Sequence, residues 1–154
     1  MGEPLPQVTL RVAPGGGAPG STSGLRITLS ETWFRAHPDD EGCVIHELSH
    51  AYLRAPVYDA TTAWLIEGIA DHIRDRLGME MPWTFAHFEV GKAAAGYQTT
   101  AHFLAWLEEG RPGVVQELRR RLADGTYDEG AFAEICGRPL SRLISAYEAE
   151  MGRR

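Results

Sequence analysis

VIHELSHAYLRAPVYDATTAWLIEGIADHIR, residues 44–74, places His46 and His50 four apart with Glu47 between them, then Glu67 and Asp71, also four apart. On a helix, residues four apart lie about 40° from each other around the axis, so each pair shares one face. Two imidazoles so placed can reach one ion at roughly 2.0–2.1 Å, the usual zinc–nitrogen distance. Glu47 is rotated about 100° from His46, too far to join as a ligand without strain, but well placed to reach a water on the open side of the metal. The bland alternative is a pair of surface histidines on an amphipathic helix. Val44, Ile45, Leu48 and Ala51 argue against it, because they surround the imidazoles with apolar neighbours.

A catalytic zinc takes three protein ligands and keeps a fourth position for water. A third histidine at the metzincin offset is excluded, since the glycine and histidine positions of that pattern hold Leu53 and Pro56. Glu67 and Asp71 share a helix face, while His72 points about 140° away from Glu67. Glu67 is therefore assigned as the third ligand. Asp71 is assigned as acceptor of the second N–H of a ligand histidine, which fixes its tautomer. The competing reading, exposed ion pairs with neighbouring arginines, is disfavoured by Gly68 and Ala70, whose small size lets two helices approach closely. The expectation is one zinc per chain.

Around this centre the chain divides into three stretches. Residues 1–38 hold two alternating segments, Gln7–Val12 and Leu25–Leu29, read as half-buried strands. The glycine-, proline- and serine-rich PGGGAPGSTSG between them reads as a flexible loop or long hairpin tip. Residues 39–78 hold the two metal-site helices. The first is capped by Asp39 or Asp40 and runs to about Arg54; the second is capped by Thr61 or Thr62 and ends near Leu77, before Gly78. Residues 79–154 begin with an aromatic irregular segment (Trp83, Phe85, His87, Phe88). Helices follow over Thr99–Glu109, Gly113–Ala123, Asp128–Cys136 and Leu140–Met151. The expected class is α+β: a short N-terminal sheet, then a mainly helical remainder, in one domain of 154 residues.

Composition narrows the partners. A net charge of −6 disfavours nucleic acid, which needs a basic face. Arg119, Arg120 and Arg121 sit among acidic residues and read as a solvated helix face. No run approaches the length of a membrane-spanning helix. The N-terminus lacks the charged start and apolar stretch of a signal peptide, so the chain as written is expected in the cytoplasm, or secreted if a leader was removed. Cys43 and Cys136 are too few to show a disulfide framework; Cys43 reads as a small buried hydrophobe rather than a fourth ligand.

HELSH, LIEGIADHIR and GYQTTAHFLAWL together resemble the basic secretory protein family, which belongs with the gluzincin metallopeptidases. The similarity continues through GVVQELRRRLADGTY to RPLSRLISAYEAEM, covering roughly Gly42 to the C-terminus. The resemblance implies a thermolysin-like helical zinc site with His46, His50 and Glu67 as ligands, Glu47 as general base, and a peptide or protein substrate. His102 stands where the family usually shows arginine. The oxyanion that develops during hydrolysis needs a donor; Tyr97 is the first candidate and His102 the second. Two rival readings share the ligand set: a catalytically silent zinc-stabilised binding or regulatory module, and a hydrolase of non-peptide substrates. Glu47 favours the enzyme, because a purely structural site has no use for a carboxylate at that position.

Overall fold

The structure is a computed structural model that describes residues 5–15, 17–79 and 88–153. Trp83, Phe85 and His87 of the aromatic segment lie outside the described residues. The architecture is α+β, with a small three-stranded sheet and a mostly helical remainder.

Strands β1 (Thr9–Ala13), β2 (Gly20–Ser23) and β3 (Arg26–Ser30) form a sheet in the order β1-β3-β2. β1 runs parallel to β3, with Leu10 opposite Ile27, and β2 runs antiparallel, with Thr22 opposite Ile27. This corrects the reading of PGGGAPGSTSG as a loop or hairpin tip. Its second half is a strand, and the two alternating segments are parallel, so they cannot form a hairpin. Gly and Ser have little intrinsic strand preference; β2 exists because β3 supplies its ladder and the helix Glu41–Leu53 packs on it.

Ser30 ends β3 and caps a short helix, α1 (Glu31–Ala36), that the sequence pattern did not announce, accepting from the Trp33 N–H at 3.2 Å. Asp40 caps α2 (Glu41–Leu53), accepting from the Cys43 N–H at 3.1 Å and from the Trp33 indole at 2.8 Å. Thr62 stands at the N-cap of α3 (Ala63–Arg76), but its hydroxyl bonds the Val57 carbonyl instead of the helix. It therefore ties down the connecting loop. α4 (Tyr97–Gly110), α5 (Val114–Ala123), α6 (Ala131–Cys136) and α7 (Leu140–Met151) complete the described elements.

Apolar packing falls into two clusters. Ile27 and Leu29 of β3 close against Cys43 and Ala51 of α2. Leu65, Ile66 and Ile69 of α3 pack with Phe103 and Leu104 of α4, Leu118 of α5, Phe132 of α6 and Tyr147 of α7. α3 and α4 meet at Gly68, where an added Cβ would lie 2.1 Å from Cγ2 of the fully buried Thr100. α2 thus sits between the sheet and the helical cluster, and its histidine face looks along that seam.

Arg120 and Arg121 are engaged by Glu117, Asp124 and Glu134, but the Nε of Arg119 is buried without a hydrogen-bond partner, so the three arginines are only in part the solvated face expected. Cys43 and Cys136 are both free thiols, and Cys43 is buried. Among the described residues, no helix is long and apolar enough to cross a membrane.

Candidate metal centre

α2 and α3 bring His46, His50 and Glu67 together. His46 Nε2 lies 3.0 Å from His50 Nε2 and 3.0 Å from Glu67 Oε2; His50 Nε2 lies 3.5 Å from the same oxygen. Tetrahedral zinc with bonds of 2.0–2.1 Å separates its ligands by about 3.3 Å, so this triangle has the size of one face of such a site. Its chemistry agrees. The Asp71 carboxylate takes the Nδ1–H of His46 at 2.7 Å, which leaves a lone pair on Nε2 of the neutral ring. That lone pair meets a second nitrogen and a carboxylate oxygen. A set converging on one point in this way is satisfied by a shared proton, as when His46 is charged, or by a cation. The group can hold a metal ion.

Burial opposes charge on His46, but its bonds to Asp71 and Glu67 outweigh that and raise its pKa to about 9. Burial alone would raise Glu67; hydrogen bonds from His46, His50 and Tyr58 reverse this and hold its carboxyl far below the usual range. Asp71 is 4% exposed. Its Oδ1 faces His46, with the Arg74 guanidinium at 3.6 Å, and its Oδ2 is buried without a hydrogen-bond partner.

A cleft of about 880 Å³ opens over these groups. His46, Glu47, His50, Glu67 and Asp71 all line it, and Ala18–Thr22 form the sheet-side wall. Tyr97 lines it too, at the start of α4. Its φ of 49° lies in the left-handed region, which costs a residue with a side chain on the order of 1–3 kcal/mol. The strained backbone sets its ring stacked on His46, with centroids 6.1 Å apart and planes 9° apart. Thr100 holds that turn, since its hydroxyl accepts from the Gly96 N–H at 2.8 Å and donates to the Ala93 carbonyl at 2.9 Å. His102 is elsewhere. Its Nδ1 lies 2.7 Å from the Tyr147 hydroxyl between α4 and α7, and it does not line the cleft.

Two side chains that touch the site's carboxylates went unnoticed in the sequence. Tyr58, on the loop joining α2 to α3, donates its hydroxyl to Glu67 Oε1 at 2.5 Å. Thr22 of β2 donates to Glu47 Oε2 at 2.6 Å. An aromatic in the loop ahead of Glu67 was a weak signal for the first. Nothing local in GSTSG distinguished the second. The Cys43 thiol, by contrast, is pushed up to about 12 by burial and the nearby Asp40 and Glu47, which suits packing and not metal binding.

Compared with known families, residues 4–147 match the BSP model, described as peptidase of plants and bacteria. The chain belongs to that family. Comparison with curated proteins and with solved structures returned no match. Membership makes the chain peptidase-like and its substrates, at a coarse level, peptides or proteins.

Proposed function

We propose that the chain is a zinc metallopeptidase of the gluzincin type, one domain over residues 1–154, with His46, His50 and Glu67 as ligands and Glu47 as general base. The observation that carries this reading is the triangle of two ring nitrogens and a carboxylate oxygen, sized for zinc, with another carboxylate on the adjoining residue in the same cleft. Zinc bound there would supply a Lewis acid and lower the pKa of a water to about 7. Asp71 orients His46 and fixes its tautomer through Nδ1. Glu47 takes the proton of the attacking water and returns it to the leaving amine. Tyr97 offers a phenolic donor on the cleft's helical side, where a carbonyl oxygen gaining charge needs one.

β2 supports a peptide substrate in particular. It pairs with β3 on one side, and its other edge borders the cleft. An extended chain can add to such an edge through main-chain hydrogen bonds.

The test is zinc analysis beside a proteolysis assay on an unstructured protein near neutral pH, for wild type and Glu47→Gln. The amide retains size and hydrogen bonding but is not a base. The expected result is about one zinc in each protein, with turnover reduced 10²–10⁴-fold in the variant. Equal cleavage by the two would remove Glu47 from the mechanism. Zinc without any cleavage by wild type would favour a silent binding module.

A further inference from the structure

We propose that Thr22 is a positioning residue for Glu47, holding the base's carboxylate against the sheet and away from the metal. The inference rests on the peptidase reading above and adds the element that keeps the base a base.

Glu47 is covalently adjacent to a ligand histidine and shares its cleft. Carboxylate oxygens are ordinary zinc ligands at about 2.0–2.2 Å, and a glutamate side chain has wide rotamer freedom. Direct ligation would strain Glu47, which stands about 100° from His46 around the helix. That strain is a cost and not a barrier, so the open position of a three-ligand site has two claimants, a water and the Glu47 carboxylate. If the carboxylate takes it, both nucleophile and base are lost together.

The structure shows what holds Glu47 elsewhere. The Thr22 hydroxyl lies 2.6 Å from Oε2 and 3.1 Å from the main-chain carbonyl of the same residue. The shorter contact is in the range of a charge-assisted O–H···O bond. Gly20 completes the seat. A Cβ there would stand 2.9 Å from Glu47 Cγ and 3.0 Å from Oε1, so the strand can lie flush on the side chain only because this residue has none. Gly20 and Thr22 are two apart on one strand, and the pleat turns both toward α2. Glu47 is left 6% exposed. The glycine–serine–threonine composition that reads as linker is what this close approach needs: one position without a side chain, and a small hydroxyl donor beside it.

The test compares Thr22→Val, which keeps the branched shape and removes the hydroxyl, with Thr22→Ser, which keeps the hydroxyl. kcat and KM are measured on the zinc enzyme, and the visible absorption of the cobalt-substituted protein reports the metal's coordination. For Thr22→Val we expect kcat to fall about 10–100-fold, the range for lost supporting contacts at metal sites, with KM little changed. We also expect a cobalt spectrum altered by entry of Glu47, returning to the wild-type form in the Thr22→Val, Glu47→Ala double variant. Thr22→Ser should match wild type in both readings. Thr22→Val with wild-type kcat and an unaltered spectrum overturns the proposal. So does a spectral change that persists in the double variant, which would reflect a displaced strand. A wild type that takes up cobalt but cleaves nothing refutes the peptidase reading, while the spectral comparison still decides the placement of Glu47. A wild type that takes up no cobalt overturns both.

Discussion

Asp71→Asn tests the metal centre most stringently, because the structure gives it a pH-dependent signature. In wild type the Asp71 carboxylate sits 2.7 Å from His46 Nδ1 and is nearly inaccessible to water. Asparagine can still accept from Nδ1–H, but it carries no charge. Its amide nitrogen would occupy the place of Oδ2, which has no hydrogen-bond partner. Losing such support typically weakens metal binding by about 10–100-fold, or about 1.4–2.7 kcal/mol. Proton competition acts in the opposite sense. His46 has a raised pKa of about 9 in the zinc-free protein, so its charged form stabilises that fold fully below about pH 6.5, and this contribution is lost as pH rises through 9. Zinc must displace this proton, which weakens apparent affinity about 100-fold at pH 7, two units below the His46 value. Without the Asp71 charge, His46 should titrate nearer its ordinary value and the handicap should shrink. The deficit of Asp71→Asn should therefore be largest above pH 9 and smallest near pH 7. Wild type should release about one proton per zinc at pH 7, and the variant fewer. Chelator competition at the two pH values and calorimetry in buffers of different ionisation enthalpy measure these quantities. Equal affinities above pH 9 would return Asp71 to an ordinary ion pair with Arg74. A deficit that does not vary with pH would refute the assignment of the His46 proton.

The His46→Ala, His50→Ala double variant should lose most of its zinc by elemental analysis, since Glu67 alone remains of the three ligands; full occupancy would refute the site. Gly68→Ala should destabilise the protein by about 1–3 kcal/mol, because the new methyl overlaps Thr100 at 2.1 Å. Its melting temperature should fall by several degrees, at roughly 2–4 °C per kcal/mol for a chain of this size. An unchanged melting temperature would mean that α3 and α4 are free to separate there.

Apart from the short α1, the helical part of this protein was legible because its signals are local. α7 begins and ends where the pattern placed it, and α2 and α3 fall within a residue or two of their expected limits, because capping residues and helix periodicity act over one or two turns. The grouping of His46, His50 and Glu67 was legible for the same reason. Four-residue spacing fixes a common face within each helix, and small Gly68 and Ala70 indicated that α3 packs closely against another helix. The actual close approach at Gly68, however, is to Thr100 of α4, which sequence spacing did not specify.

What the sequence by itself determined, then, is a set of side chains: which residues can meet around a cation, and which carboxylate stands beside them. What only the tertiary structure decided is what surrounds that set. His102 was a candidate donor by its place in a motif, yet α7 brings Tyr147 to it and it never reaches the cleft. Tyr97 meets His46 only because the Thr100 hydroxyl fixes a left-handed turn before α4. β2 shows the limit most plainly, since GSTS has no strand pattern of its own. It is a strand because β3 offers hydrogen bonds on one edge and Glu47 needs a neighbour without a Cβ on one face. The Thr22–Glu47 contact joins residues 25 positions apart in the chain, and no local preference encodes a partner at that distance.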